Sequence, residues 1–179
     1  MTSRICAALL VLLLAAPAFA ADSNNLQMFR KVEKQVLQYP HFTIFDSVNA
    51  DIDNGVVTLT GKVTMPYKST DIERRVRRLE GVTRVDNRIT VLPVSQFDDE
   101  LRFRIARAIY NNPAFYPYAF RVNPPIHVIV EHGRVTLEGV VISNVDRVLA
   151  RSIASNFLAF DVRNELKTEA EAKAELEKI

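Results

Sequence analysis

The sequence predicts an α+β protein built from two tandem αββαβ domains, each a three-stranded mixed sheet covered by two helices. Three observations support this prediction. Residues 54–63 (NGVVTLTGKV) recur as residues 132–141 (HGRVTLEGVV), with Gly55 and Gly133 lying 78 positions apart. Each repeat opens with turn residues and continues in β-branched residues, and apolar residues at helical spacing flank it. A repeat of this length exceeds a solenoid unit and indicates two copies of one small domain.

The first predicted element of each copy is a helix with one apolar stripe. The stripe residues are Leu26, Phe29, Val32 and Val36 in the first copy, and Leu101, Ile105, Ala108 and Ile109 in the second. Pro40 and Pro113 follow these helices and lie 73 positions apart, against 78 for the later glycines. The second copy therefore carries five additional residues between its first helix and its hairpin.

A β-hairpin follows in each copy. Asn54-Gly55 predicts a type I′ turn, which needs positive φ at both central residues. His132-Gly133 gives a weaker signal for the same turn, because His tolerates positive φ better than most residues do. Each return strand contains a further glycine, where a bulge or the close approach of another backbone is expected. These glycines are Gly61 and Gly139.

A second amphipathic helix and a last strand complete each copy. We expect Thr70 and Glu73 to cap the helix of the first copy and Ser143 to cap that of the second. The apolar stripes of these helices are Ile72, Val76 and Leu79, and then Val145, Val148, Leu149, Ile153 and Phe157. The last strands carry matched asparagines, Asn87 and Asn164, which we expect to satisfy buried backbone groups.

The repeated segments resemble the BON domain (bacterial OsmY and nodulation). The motifs are residues 57–63 (VTLTGKV) with 81–89 (GVTRVDNRI), and residues 135–141 (VTLEGVV) with 160–166 (FDVRNEL). The second copy departs from the pattern at Ala159, where the first copy has a glycine. The resemblance covers nearly all of the chain after its leader. It implies a bacterial envelope protein without known catalysis that binds phospholipid surfaces or supports envelope integrity or stress tolerance.

The domain boundaries follow from these elements. Residues 25–93 are predicted to form BON-like domain 1, residues 97–168 BON-like domain 2, and residues 169–179 a charged helical tail that packs on the body or extends freely. Because the linker between the copies is very short, we expect them to pack on each other.

Residues 1–20 are predicted to be a secretory signal peptide. Arg4 precedes a short apolar core, and an A-x-A cleavage site ends at Ala20. The alternative is a retained N-terminal anchor. Cleavage removes Cys6, the only cysteine, so the mature chain has neither a disulfide nor a thiol for catalysis or metal binding. The formal net charge of the full chain is only +2, so electrostatic binding must come from local patches.

The first candidate binding site is a basic cluster on the second helix of domain 1, formed by Arg74, Arg75, Arg77 and Arg78. These side chains project away from the apolar stripe of the helix. One interpretation is a solvated basic face. The functional interpretation is attraction to anionic phospholipid head groups, which contributes about 1 kcal/mol per basic residue near a charged surface.

The second candidate is the first helix of domain 2. Phe103 and Tyr110 are predicted to point away from the core stripe, with Arg107 between them and Arg104 beside them. Aromatic rings next to arginines on an outward face suit a membrane interface. The alternative is that both rings pack against the other copy or the C-terminal segment. The BON resemblance adds weight to the functional interpretation, because the corresponding helix of a second BON domain contacts anionic lipid.

The third candidate is the loop at residues 113–120, where the five additional residues fall. It contains the aromatic residues Phe115, Tyr116, Tyr118 and Phe120. Such a loop can insert into lipid, dock a protein partner, or cap the hydrophobic core. Our hypothesis is that the loop and the Phe103 face form one binding surface.

The sequence does not predict an enzyme, because it contains no nucleophile elbow, phosphate loop or dinucleotide fingerprint. His41, His127 and His132 show no metal-binding spacing, so neither a metal nor a cofactor is predicted. The expected partner is an anionic phospholipid surface, bound peripherally, or alternatively an envelope protein docked on the aromatic loop. No nucleic acid and no small-molecule substrate is expected, and the predicted location is the periplasm.

Overall fold

The computed structural model describes residues 18–177. The predicted signal peptide therefore lies outside the described residues except for Ala18, Phe19 and Ala20, which begin the first helix. The last two residues of the predicted tail lie outside them as well.

Domain 1 contains two helices and four strands. Its elements are α1 (Ala18–Leu37), β1 (Ser47–Asp53), β2 (Val56–Val63), α2 (Pro66–Arg77), β3 (Arg84–Asn87) and β4 (Thr90–Val91). β1 pairs antiparallel with β2, and β2 pairs in parallel with β3 and then with β4. The apolar stripes of α1 and α2 pack on one face of this sheet and form a single core with it.

Domain 2 repeats this arrangement with an insertion. Its elements are α3 (Gln96–Tyr110), a 3₁₀ turn (Pro113–Phe115), α4 (Tyr116–Ala119), β5 (Ile126–Glu131), β6 (Arg134–Val141), α5 (Asn144–Ala154), β7 (Asp161–Thr168) and α6 (Glu169–Leu176). The strand order is β5-β6-β7, with an antiparallel and then a parallel pairing. The predicted α+β class with two αββαβ copies is confirmed. The tail helix α6 lies against domain 2, where Glu171 pairs with Arg147 at 2.9 Å.

The sheet of domain 1 has four strands instead of the predicted three. The last strand is interrupted after Asn87, whose Oδ1 accepts a hydrogen bond from Ile89 N at 3.1 Å. In domain 2 the equivalent contact, from Leu166 N to Asn164 Oδ1, is longer at 3.4 Å, and β7 runs unbroken. The side-chain amide of Asn164 also donates to the carbonyl of Arg147 at 2.8 Å. The asparagines therefore satisfy buried backbone groups, as predicted.

The hairpin turns have the predicted geometry. Asn54 and Gly55 have φ of 48° and 81°, and His132 and Gly133 have φ of 51° and 73°. The glycine within β6, Gly139, has φ of 116°, and a Cβ there would lie 1.8 Å from the carbonyl oxygen of Pro125. Close approach of another backbone therefore requires glycine at this position, as the sequence predicted.

Two details of the helix predictions are wrong. α2 begins at Pro66, so Thr70 lies inside the helix and forms no capping box with Glu73. Proline is favoured at a first helical position, because its fixed φ suits the helix and its missing N–H needs no partner there. The predicted cap at Ser143 is confirmed, and Asp146 completes a capping box with it.

The second error concerns the buried face of α5. Val145 and Val148 were predicted to face the core but are 74% and 59% exposed. Ala150 and Ala154, one turn apart, are fully buried in their place. Small side chains at these positions let α5 approach the sheet closely, which turns the two valines outward.

The two domains contact each other through residues 42–46, the loop between α1 and β1, which we call the joining loop. The carbonyl of Ile44 accepts a hydrogen bond from Val128 N at 2.8 Å, on the outer edge of β5. The carbonyl of Asp46 lies 2.6 Å from His127 Nδ1, which must carry the donated proton because a carbonyl can only accept. The side chain of Ile44 also packs against the core of domain 2. The predicted packing of the two copies is confirmed.

Domain 1 also covers part of the sheet face that points away from α3 and α5. Glu131 of β5 forms an ion pair with Lys62 of β2, and Glu138 of β6 accepts a hydrogen bond from the hydroxyl of Ser47. Both contacts lie on the strand positions that alternate with the core residues Val130 and Leu137. Domain 1 and the helices of domain 2 therefore lie on opposite faces of the second sheet.

The carboxylate of Asp46 holds this joint in place. It is fully buried and accepts from the amide and hydroxyl of Thr64 at 2.8 and 2.9 Å, from those of Thr43 at 2.8 and 2.7 Å, and from Lys68 Nζ at 2.6 Å. Burial acts to raise the pKa of Asp46, but these hydrogen bonds and the charge of Lys68 hold the pKa below its usual value. The side chain is thus anchored in domain 1, whereas its backbone carbonyl contacts domain 2.

Asp46→Asn is predicted to lower the free energy of unfolding by about 3–5 kcal/mol, because it leaves Lys68 buried without a counter-charge. The native pKa of Asp46 is lower than the unfolded value of about 3.9, so its stabilisation is complete above the unfolded value and is lost as pH falls through the native one. Wild type should therefore lose more stability on acidification than the variant loses.

Urea denaturation at neutral and acid pH measures both effects. Asp51→Asn is the matched control, since Asp51 is exposed on β1. Equal denaturation midpoints for the two variants at neutral pH would contradict the account.

Candidate functional site

The outer face of domain 2 is the surface of α3 and α5 that points away from the sheet. The two helices lie side by side, and their inward residues join the strands in one core. Because domain 1 contacts the opposite side of this sheet, it leaves the middle of the helical layer uncovered.

The α3 part of the outer face combines one aromatic ring with two arginines. Phe103 is 59% exposed and packs edge-to-face on Phe45 of the joining loop, with ring centroids 4.7 Å apart. Arg104 lies with its guanidinium carbon 5.4 Å from the ring centroid of Phe157, and Arg107 is exposed in the last turn. The structure therefore brings Phe103, Arg104 and Arg107 to one surface, as the sequence predicted.

The prediction that Tyr110 points outward is wrong. Its hydroxyl donates to the carbonyl of Ile126 at 2.6 Å and accepts from the amide of the same residue at 3.0 Å. Burial raises the pKa of Tyr110 well above its usual value, so the phenol stays protonated. Tyr110 fixes the start of β5 to the end of α3 and is not available to a ligand.

The aromatic loop at residues 113–120 divides into an inner and an outer pair. Phe115 and Tyr118 are buried in the core of domain 2, so the core-capping interpretation holds for them. Tyr116 and Phe120 are exposed and contact each other edge-to-face, with ring centroids 6.1 Å apart. Only this outer pair can meet a ligand or partner.

The hydroxyl of Tyr118 accepts a backbone hydrogen bond in domain 2 that matches one accepted by the carboxylate of Asp46 in domain 1. Its hydroxyl accepts from Ile142 N at 2.8 Å and donates to Asp146 at 2.7 Å. Ile142 lies 78 positions after Thr64, whose amide donates to Asp46. The additional residues of the second copy thus provide a phenol for a backbone group that a carboxylate satisfies in the first.

Two exposed apolar residues of α5, Val145 and Val148, extend the outer face, although the sequence predicted that they face the core. Arg151 is exposed on the same helix. The pair Ala150 and Ala154 was the signal that marks the true inward side, since two alanines one turn apart let a helix pack closely.

The arginine cluster of α2 does not form a flat basic face. Arg77 pairs with Glu73, away from its neighbours. The other three arginines line a groove between α1 and α2 with a volume of about 490 Å³. The lining residues are Gln35, Tyr39, Asp71, Arg74, Arg75, Arg78 and Leu79.

A second surface hollow lies beside the linker between the domains. It is lined mainly by apolar atoms and includes Phe97, Asp98 and Phe160. The carboxylate of Asp98 accepts from the amides of His132 and Gly133 at 2.9 and 2.8 Å, so it holds the hairpin turn. The exposed Phe97 and Phe160 were not singled out from the sequence.

Within residues 18–177, no cluster of three or more His, Cys, Asp or Glu side chains is arranged to hold a metal ion. The helices of the same residues include none with the length and apolar content that crossing a membrane requires.

Comparison with protein families gives a match to the BON domain, which covers residues 29–93 and again residues 98–170. BON domains are generally non-catalytic domains that bind membranes or proteins, and proteins that contain them are generally found in the envelope or periplasm. Comparison with curated proteins gives no match.

Two solved structures show a weak likeness. One is CdsD, a structural protein of the type III secretion system of Chlamydia trachomatis, with 14% identity over 84% of this chain and 97% of its own and a TM-score of 0.28. The other is the C-terminal domain of CdsD, with 14% identity over 78% and 96% and the same TM-score.

Tyr118→Phe is predicted to lower the free energy of unfolding by about 1–3 kcal/mol, because it leaves the amide of Ile142 without its hydrogen-bond acceptor. Tyr116→Phe removes an exposed hydroxyl from the same loop and should change stability by less than about 0.5 kcal/mol. Thermal unfolding of both variants measures the difference. If the two variants are equally stable, Tyr118 is not the support that we assign to it.

Proposed function

We propose that this chain, which belongs to the BON domain family, is a non-catalytic envelope protein that associates peripherally with anionic phospholipid surfaces. The binding surface in this proposal is the outer face of domain 2 together with the outer aromatic pair, Tyr116 and Phe120.

The observation that carries the proposal is the mixture of exposed side chains on this surface. Phe103, Val145 and Val148 are apolar and more than half exposed, and Phe120 is 85% exposed. Phe103, Val145 and Val148 share the outer face, and apolar side chains exposed together mark an interaction surface more often than scattered ones do. The rings and valines suit the boundary between head groups and acyl chains, where part of their surface leaves water.

Arginines accompany these apolar side chains and give the surface its preference for anions. Arg104 and Arg107 lie on α3, Arg151 lies on α5, and Arg121 directly follows the aromatic loop. Of these, Arg104 is 3.7 Å from Glu100, an exposed pair that contributes little. Near an anionic surface each basic residue contributes about 1 kcal/mol, so four arginines supply several kcal/mol at low salt.

The position of domain 1 also favours the outer face as the binding surface. Its joining loop lies along the edge strand β5 and its sheet contacts the far side of domain 2. Because domain 1 contacts the opposite face of this sheet, the outer surface of α3 and α5 is available to a membrane. We further propose that residues 1–20 direct export to the periplasm, and that the protein supports envelope integrity or stress tolerance from there.

Docking of an envelope protein is the alternative function, and one observation favours it. Tyr116 and Phe120 contact each other and are exposed to solvent. A pair of exposed aromatic rings is a suitable anchor for a protein partner. Such binding depends on apolar contact and should persist in high salt, whereas attraction to anionic lipid is screened.

Phe103→Ser with Phe120→Ser is predicted to weaken binding to phosphatidylglycerol vesicles by about tenfold or more, because two rings no longer leave water on binding. Flotation with vesicles at low salt measures the bound fraction. The matched control is Phe97→Ser with Phe160→Ser, since these rings are similarly exposed, at 53% and 81% against 59% and 85%, but lie beside the linker. The control should float as wild type does.

Three results would count against the proposal. The first is equal flotation of the two double variants with both folds intact. The second is equal binding of the wild type to phosphatidylcholine and phosphatidylglycerol vesicles. The third is binding that does not change between low and high salt, which favours the protein-partner alternative.

A further inference from the structure

We propose that the groove between α1 and α2 of domain 1 binds the phosphate group of a phosphomonoester ligand, at a site separate from the outer face of domain 2. This inference does not rest on the proposed membrane association. Three arginines converge on the groove, its net charge is positive, and the matching place in domain 2 has neutral residues.

The groove is organised by contacts between its own side chains. The buried Tyr39 donates its hydroxyl proton to Asp71 Oδ2 at 2.8 Å, and Arg74 pairs with Asp71 Oδ1. The guanidinium carbon of Arg75 lies 5.1 Å from the ring centroid of Tyr39, within the range of a cation–π contact. Tyr39 thus orients both a carboxylate and a guanidinium at the wall of the groove before any ligand arrives.

The charges in the groove favour a doubly charged anion. Arg74, Arg75 and Arg78 carry three positive charges, and Asp71 carries one negative charge. Within the described part of the chain, Arg75 and Arg78 form no ion pair with a carboxylate. A phosphomonoester carries a charge of about −1.5 to −2 at pH 7, and planar guanidinium groups match phosphate oxygens with paired hydrogen bonds.

The volume of the groove fits a ligand larger than phosphate alone. About 490 Å³ lies within the range of roughly 300–1,000 Å³ that small-molecule sites occupy. Gln35 and Leu79 complete the lining, so a polar and an apolar side chain are available to the group that carries the phosphate. Glycerol 3-phosphate is a suitable soluble probe, and phosphatidic acid presents the same phosphomonoester in a membrane.

Domain 2 serves as an internal control for what the fold itself requires. The 78-residue offset that relates the two hairpins also aligns the buried Ile72 and Val76 of α2 with the buried Ala150 and Ala154 of α5. At the same offset, the four charged residues of the groove are replaced by neutral ones. Asp71, Arg74, Arg75 and Arg78 correspond to Leu149, Ser152, Ile153 and Asn156. The fold of these domains therefore does not require the charged cluster.

Arg75→Gln with Arg78→Gln is predicted to weaken glycerol 3-phosphate binding by at least about tenfold, because two charge-assisted contacts are lost. Isothermal titration calorimetry on the full mature chain measures the affinity. Arg77→Gln with Arg88→Gln is the matched control: it removes the same charge from domain 1, but these arginines pair with Glu73 and Asp86 outside the groove. The control should bind the probe as wild type does.

Asp71→Asn should change binding in the opposite direction. It removes the negative charge from the groove and releases Arg74 from its ion pair, while the amide oxygen can still accept from Tyr39. We expect tighter binding of glycerol 3-phosphate than in wild type. A purely structural role of this cluster would give no such gain.

A measurement on the wild-type chain needs no variant to fold. Titration with glycerol 3-phosphate should shift the side-chain Nε–H signals of Arg75 and Arg78 in nitrogen–proton spectra and leave that of Arg77 in place. Phosphatidic acid vesicles form a second arm with the same variants. Groove-dependent binding in either arm supports the proposal, and the arm in which it occurs identifies a soluble or a membrane source.

The proposal is overturned if neither glycerol 3-phosphate nor phosphatidic acid shows binding that depends on Arg75 and Arg78. Weaker binding in Asp71→Asn also contradicts it. These outcomes are independent of the proposed membrane association, because flotation on phosphatidylglycerol is tested with Phe103 and Phe120 of domain 2. A protein that fails one test can still pass the other.

Discussion

One buried carboxylate, that of Asp46, fixes how the two halves of this protein sit together. Its side chain is held within domain 1 by Thr43, Thr64 and Lys68, while the carbonyl of the same residue contacts His127 of domain 2. Burying a charge is costly unless it is paired and hydrogen-bonded, so a carboxylate with five hydrogen bonds strongly prefers this one arrangement. The order of the joining loop, and with it the docking of the domains, follows from that preference.

The duplication shows how one fold meets the same need with different chemistry. A backbone amide at the end of the second hairpin strand needs an acceptor in both copies. Domain 1 uses Asp46, and domain 2 uses Tyr118 from its additional loop. The backbone carbonyl of Asp46 contacts the neighbouring domain, whereas the ring of Tyr118 packs in the core of its own domain. The two copies are therefore alike in topology but not interchangeable, and the surfaces left open differ between them: an arginine groove on domain 1 and an apolar, basic face on domain 2.

Local signals in the sequence were sufficient for the fold but only partly for the sites. Asn54-Gly55 and Gly139 report backbone conformations that few other residues adopt, so the hairpins and their duplication could be predicted from residue type alone. The outward placement of Tyr110 could not be judged in this way, because its partner is a backbone group 16 residues away. The position of Arg75 in the groove likewise depends on its contact with Tyr39, which follows a different helix, α1. Helical periodicity locates a side chain on its own helix, but only tertiary contacts decide whether that side is covered.

Because residues 42–46 contact both domains, we predict that the two domains behave as one rigid body, with the outer face and the groove exposed. Backbone nitrogen-15 relaxation of residues 21–179 tests this prediction most directly. A single rotational correlation time, appropriate to the whole chain, should describe the amides of both sheets, and residues 42–46 should be as ordered as the strands. Two shorter correlation times, one for each domain, with fast motion at residues 42–46, would contradict the claim.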